Sequence, residues 1–169
     1  MTGHNKRTDT THQGRGDRTA VEHVPAPYHT DHKLPEPTLC PICGLIFHKG
    51  RWQPGEPPLS ANRHICPACQ RSRDHAPAAE LKLAGKFFTE HRKEIMRLIY
   101  NTEEKERLQH PLERIMEILD KDNETHITFT GTHIAHSVGK AVQHAYKGEL
   151  EAPYTDSDSL MRMSWMRAE

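Results

Sequence analysis

The four cysteines of the chain form two identically spaced pairs, and their chemistry points to a metal site. Cys40 and Cys43 form the first pair and Cys66 and Cys69 the second, each reading Cys-Pro-x-Cys, so that the whole pattern is C-x2-C-x22-C-x2-C. Two tight turns of this kind can aim four thiolates at one ion and fill the tetrahedral shell of zinc. A filled shell favours a structural metal over a catalytic one. We therefore predict Zn²⁺ as the cofactor, held by all four cysteines.

Other uses of these cysteines are less well supported. Disulfides need an oxidising compartment, and no apolar leader segment precedes the cysteines, so we expect a cytoplasmic protein. A thioredoxin-like redox pair would open a helix after an apolar strand. Leu39 is a lone apolar residue before the first pair, and Gly44 interrupts any helix after it. Iron can occupy the same four thiolates, and that alternative stays open beside zinc.

Composition limits what the chain can build and bind. With 169 residues, 34% of them apolar, and 12 prolines, it can bury one modest core. The 23 basic and 23 acidic side chains cancel, so any contact with nucleic acid must be local. No apolar run is long enough to predict a membrane span.

The sequence predicts three regions. Residues 1–37 are polar and rich in histidine, and we interpret them as a flexible arm because they offer little apolar surface to bury. Residues 38–76 hold the cysteines and are predicted to form a four-cysteine zinc ribbon, with short strands at 45–47 and 62–65. Residues 77–169 have the composition of a folded α+β domain. The arm's histidines lack regular ligand spacing, so we interpret them as solvated (His4, His12, His23, His29 and His32).

The ribbon carries a local excess of basic residues, which predicts contacts with RNA phosphates. Stacking on an exposed base is assigned to Trp52 or His64. The alternative is that Trp52 fills the ribbon's small core and the arginines are merely solvated. The histidines near the cysteines are not expected to replace them as ligands (His48, His64 and His75). The predicted phosphate contacts are Arg51, Arg63, Arg71 and Arg73, with Lys140 and Lys147 as further contacts beside a later helix.

Hydrophobic periodicity predicts the elements of the last region. A strand at 80–84 is followed by an amphipathic helix from Phe87, which Pro111 must end. Residues 112–119 and 125–130 are predicted to form a hairpin around the turn at 120–123. Thr132 is predicted to cap a second helix that stops at Lys147 and Gly148. A closing hairpin is predicted from 150–154 and 160–166.

This order of elements predicts an α+β fold. It matches a ferredoxin-like plan, βαββαβ plus an extra strand, in which two helices cover one face of a mainly antiparallel sheet. The other face of such a sheet is often open to a partner, and many RNA-binding domains use it in that way.

No pattern of catalytic residues stands out, so we do not predict an enzyme or a small-molecule substrate. The chain lacks a Ser/His/Asp spacing, a Gly-rich phosphate loop and a paired-carboxylate motif. Among its 14 histidines, His126, His133, His136 and His144 come closest to a cluster. His133, His136 and His144 lie on the second predicted helix and could share a face as a second metal site. The favoured interpretation is nevertheless that these histidines face solvent.

Several runs of the sequence resemble those of a known group of proteins. The Cys-Pro-x-Cys-Gly ribbon and the runs 127–135, 138–141, 145–150 and 161–165 resemble a bacterial family of small zinc-ribbon proteins with no settled activity. More distantly, the chain is similar to the amino-terminal half of the nonsense-mediated-decay protein 3 family, the adaptors of the large ribosomal subunit. Those adaptors carry additional cysteine pairs that this chain lacks. The resemblance covers roughly residues 38 to 167 and implies a zinc protein that works on ribosomes or other structured RNA.

Together, these observations lead to one predicted function and one alternative. The prediction is a cytoplasmic bacterial zinc-ribbon protein that binds RNA, associates with the large ribosomal subunit, and acts in translation, ribosome maturation or stress. Its partners would be ribosomal RNA and ribosomal proteins. The alternative is a zinc-dependent module for protein interaction or regulation that does not bind RNA.

Overall fold

The computed structural model describes Tyr28 and residues 33–152 and 160–169. Most of the predicted arm, and the turn predicted at 155–159, lie outside the described residues. The described elements, in chain order, are β1 (Thr38–Leu39), β2 (Ile46–His48), β3 (Arg51–Gln53), β4 (Asn62–Arg63), α1 (Pro67–Arg73), β5 (Ala79–Ala84), α2 (Lys86–Glu90), α3 (Arg92–Gln109), β6 (Ile115–Lys121), β7 (Glu124–Phe129), α4 (Thr132–Tyr146), β8 (Glu149–Glu151) and β9 (Met161–Met166). The class is therefore α+β.

The cysteine-bearing part of the chain is built on very short strands. In its described residues, they form a sheet in the order β3-β2-β1-β4, in which only β1 and β4 run parallel. Phe47 and Trp52 face each other across β2 and β3, with their ring centroids 5.5 Å apart. Around them lies a small buried cluster that includes Leu45, Ala68 and three of the cysteines. Strands this short bury little surface, so this part of the chain has a sparse apolar core.

The second sheet contains the strands that alternation predicts most clearly. Its order within the described residues is β6-β7-β5-β9-β8. β6 and β7 form the expected hairpin, and Asp122 and Asn123 at its tip both have positive φ, as a tight two-residue turn requires. β8 and β9 pair antiparallel as the predicted closing hairpin. The ambiguous segment after Pro111 is a strand, as predicted, although it begins at Ile115.

The order of the strands at one edge differs from the predicted plan. β7 lies between β5 and β6, as in a split β-α-β unit. However, β9 lies between β5 and β8 and pairs parallel with β5, with Leu81 opposite Met163. The sheet is therefore mixed. Trp165 on β9 is fully buried and donates its indole N–H to the Lys147 carbonyl oxygen at 2.7 Å, which ties this inner strand to the end of α4.

The first predicted helix of this region is two helices, α2 and α3. His91 ends α2 and precedes α3 with φ −111° and ψ 21°, which interrupts the helical backbone. Its ring lies against Phe87, with centroids 4.2 Å apart. The charged run at 103–107 continues α3 to Gln109, and Pro111 follows the end of the helix, as predicted.

The predicted cap of α4 is wrong. Thr132 is the first residue of the helix rather than its cap, and Gly131 occupies the cap position without a side-chain hydrogen bond. The carboxylate of Glu113, from the loop before β6, accepts a hydrogen bond from the backbone N–H of Ile134 at 3.0 Å. A distant acidic residue therefore satisfies this helix terminus.

Buried residues of the described chain form two clusters. The larger lies between the five-stranded sheet and helices α2, α3 and α4, and includes Leu81, Ile95, Phe129 and Val138. The smaller surrounds the cysteines. Leu112, in the loop between α3 and β6, packs against the smaller cluster, so this loop joins the two. No helix in the described part of the chain has the length and apolar character needed to cross a membrane.

Candidate metal centre and basic surface

The first cysteine pair is held in a tight turn after β1. The Cys40 N–H donates to the Leu45 carbonyl oxygen at 2.8 Å, and the Gly44 N–H donates to the Cys40 carbonyl oxygen at 3.0 Å. Gly44 has φ 79°, a conformation that glycine adopts without a steric penalty. The turn places Cys40 in the core and leaves Cys43 partly exposed.

The second pair lies at the start of a helix, which the sequence analysis did not anticipate. Cys66 is the N-cap of α1 and Pro67 is its first residue, a position where proline is well tolerated. The Cys66 sulfur accepts the Cys69 N–H at 3.5 Å, and the Cys66 N–H donates to the Cys40 sulfur at 3.3 Å. Backbone N–H groups thus face the sulfurs, as they do in thiolate metal sites.

The four sulfurs are close enough to share one ion. All of their ligand atoms lie within 4.8 Å of one another, and the Cys43 and Cys66 sulfurs are 3.7 Å apart. A tetrahedron with zinc–sulfur bonds of about 2.3 Å has an edge of about 3.8 Å. All four are free thiols in this structure, so no disulfide competes for them. The arrangement is consistent with a metal such as zinc, and the predicted ligands Cys40, Cys43, Cys66 and Cys69 are brought together.

Arg114, which the sequence analysis missed, reaches the cysteines from the loop before β6. Its guanidinium donates to the sulfurs of Cys43 at 3.4 Å, Cys69 at 3.5 Å and Cys66 at 3.8 Å. The planar guanidinium presents five N–H donors in a rigid fork, which suits contact with several sulfurs at once. Arg114 therefore links the cysteine cluster to the larger domain through charge as well as packing.

The backbone around Arg114 is fixed by several hydrogen bonds. Its N–H donates to the Thr130 hydroxyl at 2.8 Å, and the same hydroxyl donates to the Leu112 carbonyl oxygen at 2.6 Å. The Arg114 side chain also donates through Nε to the Pro111 carbonyl oxygen at 2.9 Å. Thr130 is buried at the end of β7. The larger sheet therefore determines where the guanidinium lies.

Burial and hydrogen bonding act on the thiols in opposite directions. Burial raises the pKa of Cys43, but N–H donors from the Leu45 backbone and from Arg114 outweigh it and lower that pKa to about 7. Burial raises the pKa of Cys66 and Cys69, and the charge of the neighbouring Cys43 sulfur raises both further. Burial lowers the pKa of Arg114, but its hydrogen bonds and charge interactions with Cys43, Cys69 and Cys66 together outweigh burial and raise that pKa. A divalent cation would complete the charge balance of such a cluster.

Two of the predicted phosphate contacts, Arg51 and Arg63, lie on the same face of the smaller sheet. Arg51 is opposite His48, Ile46 is opposite Leu39, and Leu39 is opposite Arg63. Since directly opposed residues share a face, and so do residues two apart on a strand, the two arginines point the same way. Both are exposed, and neither forms an ion pair with any described residue.

The predicted stacking residues are placed differently. Trp52 is only 8% exposed and packs on Phe47, so its ring belongs to the small core and offers no free face for a base. His64 is half-buried just before the second pair, and its Nε2 atom is buried without a hydrogen-bond partner among the described residues. The alternative considered for Trp52, a core residue, is the one that the structure supports.

Arg71 and Arg73 are already engaged within the cysteine-bearing region. Arg71 donates to the Ala76 carbonyl oxygen at 2.9 Å and lies over the ring of Tyr28, 4.5 Å from its centroid. Desolvation lowers the pKa of its guanidinium. Arg73 is exposed and bonds the carboxylate of its neighbour Asp74 at 3.2 Å. Of the two, Arg73 is the more exposed, but a phosphate would have to compete with Asp74 for its guanidinium.

Lys140 and Lys147, the predicted contacts on α4, are both exposed. Lys147 ends the helix with φ 60°, and its ammonium donates to the His144 carbonyl oxygen at 3.2 Å. A Cβ on the following Gly148 would lie 2.7 Å from the Met166 carbonyl oxygen, so this corner admits only glycine. The run at 145–150 therefore has a clear structural role where it meets β9.

The histidines considered as a second metal site on α4 do not come together with one another. His133 does lie among possible metal ligands, but its neighbours are Glu106 and His110 of the preceding helix end. His136 and His144 are exposed and belong to no group of possible ligands among the described residues. Helical spacing therefore indicated His133 as a possible ligand. The other two members of its group, Glu106 and His110, come from an earlier part of the chain.

Comparison with known proteins adds no assignment to these sites. No protein-family model, curated protein or solved structure matches the chain.

Proposed function

We propose that the four cysteines hold one zinc ion, that the module around them is a zinc ribbon, and that this ribbon binds RNA. The sulfur geometry and the sparse apolar core support zinc, because a metal can stabilise a module that buries too little surface to fold alone. Zinc would act as a structural cross-link with no open coordination position.

The observation that carries RNA binding is the shared face of Arg51 and Arg63. β3 and β4 are the outer strands of the smaller sheet, so three strand spacings of about 4.8 Å separate the two arginines by roughly 14 Å across the sheet. They are also offset by two residues, roughly 7 Å, along the strands, so their backbones lie roughly 16 Å apart. Unpaired guanidinium groups at this separation can each meet a different phosphate of one RNA backbone.

The open face of the larger sheet is a poorer candidate for RNA. Its charges are paired with one another: His126 bonds Glu80 at 2.6 Å and lies 3.5 Å from Glu124, and Lys82 lies 3.6 Å from the same Glu124. The Phe, Tyr and Trp residues on its described strands are Phe129 and Trp165. Both side chains are fully buried in the core. Sheets that bind single-stranded RNA stack bases on exposed aromatic rings. On the described strands of this face the only such ring is that of His126, which is partly buried and held by Glu80.

We further propose that the RNA is ribosomal and belongs to the large subunit. The support is the resemblance of the ribbon and the runs at 127–135 and 145–150 to the zinc proteins described above. That resemblance stays a prediction, since none of the comparisons matches the chain.

The experiment compares two double variants for binding to purified large ribosomal subunits and to free large-subunit RNA across a salt series. Arg51→Ala with Arg63→Ala should weaken binding and flatten the slope of log K against log salt by roughly one unit for each lost phosphate contact. The control is Arg97→Ala with Arg107→Ala, at two exposed positions of α3. It removes the same charge and should change neither the affinity nor its dependence on salt.

Equal effects of the two double variants would contradict the proposed face, because binding would then follow net charge alone. If the zinc-loaded wild-type chain binds neither subunits nor RNA at low salt, the RNA proposal is wrong and the protein-interaction alternative is favoured. Zinc content of each variant serves as the folding control.

A further inference from the structure

A second group of possible metal ligands lies between α3 and α4. Glu106 is in the last turn of α3, His110 follows the end of that helix, and His133 is in the first turn of α4. Their ligand atoms all lie within 4.8 Å of one another. From this arrangement we propose a second metal site, separate from the cysteines, that binds a divalent transition-metal ion through two imidazoles and one carboxylate.

The distances suit coordination. His133 Nε2 and Glu106 Oε2 are 2.9 Å apart, and the His110 and His133 rings meet edge-on with centroids 4.7 Å apart. Metal–ligand bonds of about 2.1 Å at right angles place adjacent donor atoms about 3.0 Å apart. His110 is exposed, so its ring has room to turn towards an ion held by the other two ligands.

The donor set determines the class of ion. Two imidazole nitrogens and one carboxylate suit Zn²⁺, Ni²⁺, Co²⁺, Cu²⁺ or Fe²⁺ rather than Mg²⁺ or Ca²⁺, which prefer oxygen. The side chains of His133 and Glu106 are 53% and 21% exposed. Water, or a ligand from a partner, can therefore occupy the remaining coordination positions.

The surrounding charges also favour a cation. The site is at the carboxyl end of α3, where the helix dipole attracts positive charge. The amino end of α4 would repel a cation, but the Glu113 carboxylate accepts the Ile134 N–H there and offsets that field. His110 also begins the loop that carries Arg114 to the cysteines, so the second site adjoins the connection between the two cores.

The experiment titrates Ni²⁺ into the zinc-loaded full-length chain, by calorimetry and by NMR. One equivalent should bind and broaden amide signals centred on 106–110 and 132–134, because bound Ni²⁺ is paramagnetic. His133→Ala and Glu106→Gln should each weaken this event at least about tenfold, since even the loss of an outer partner of a metal ligand costs about 10- to 100-fold.

The matched control is His136→Ala, which removes an exposed histidine one turn further along α4 and should leave the affinity unchanged. The proposal is overturned if broadening centres on the histidines of residues 1–37, if sulfur-to-nickel charge-transfer bands appear, or if no saturable binding occurs. It is equally overturned if His133→Ala and His136→Ala weaken binding alike. In each case the Glu106–His133 contact is an ordinary surface pair.

Discussion

At the scale of single residues, Arg114 changes how the cysteine cluster is understood. Four thiolates around a divalent ion carry a net charge of about −2. Arg114 donates to three of the four sulfurs, so it would offset part of that charge where the cysteine cluster meets the loop before β6. Hydrogen bonds to the sulfurs of a metal centre orient the ligands and tune their affinity for the ion.

The first prediction follows from those contacts. Arg114→Ala should lower zinc affinity about 10- to 100-fold, as the loss of a partner to the ligands usually does. Arg114→Lys keeps the charge but loses the fork of donors, so the zinc affinity of this variant should lie between those of the wild type and Arg114→Ala. Competition with a chromophoric chelator measures both. The control is Arg92→Ala. It removes a guanidinium that bonds Asp120 and contacts none of the cysteines. Wild-type affinity in Arg114→Ala would show that the contact has no role in holding metal.

At the scale of elements, the start of α4 depends on a residue from another part of the chain. Glu113 supplies the acceptor that the predicted cap, Thr132, does not. The fit is close, because a Cβ on Gly131 would lie 2.2 Å from the Glu113 carboxylate oxygens. Glycine at this position therefore allows the carboxylate to reach the helix.

The second prediction tests this long-range cap. Glu113→Ala should destabilise the chain by about 1 kcal/mol, the usual cost of losing a helix cap. Urea denaturation, followed by far-ultraviolet circular dichroism, measures the free energy of unfolding. Glu117→Ala removes an exposed glutamate four residues further on and should change that free energy by less than about 0.5 kcal/mol. If the two variants are equally stable, the hydrogen bond to Ile134 contributes nothing.

The elements also show which features could be predicted from the sequence. The hairpin of β6 and β7 was predictable because β-branched alternation and a turn sequence are local signals. The break at His91 was not, since neither proline nor glycine marks it. The position of β9 between β5 and β8 depends on which strands pair across the sheet, and local periodicity carries no such information.

The candidate site shows the same limit. Spacing identified the four cysteines, because ligands of one ion must be brought together by tight turns. Arg114 and Glu113 follow Pro111 in an irregular loop with no periodic pattern, so nothing in their spacing indicates a partner. Trp52 was misassigned to RNA because exposure cannot be judged for an aromatic residue in a module with so few apolar neighbours.

At the scale of the whole molecule, two small cores are joined by the loop between α3 and β6. Leu112 packs against the core around the cysteines, Glu113 satisfies the start of α4, and Arg114 contacts the sulfurs. The predicted division into a ribbon at 38–76 and a domain at 77–169 assigns the two cores to separate stretches of sequence. The contacts of this loop indicate that the cysteine cluster and the larger sheet stabilise each other.

The most direct test of the account is native mass spectrometry of the full-length chain after gel filtration with a weak chelator, which strips metal from exposed histidines. The wild-type protein should retain one zinc ion, and Cys66→Ser should retain none, because a three-thiolate site around a sparse core cannot hold the ion against the chelator. A wild-type chain that emerges free of metal, or a Cys66→Ser chain that still carries zinc, would contradict the claim that the four cysteines form a zinc centre.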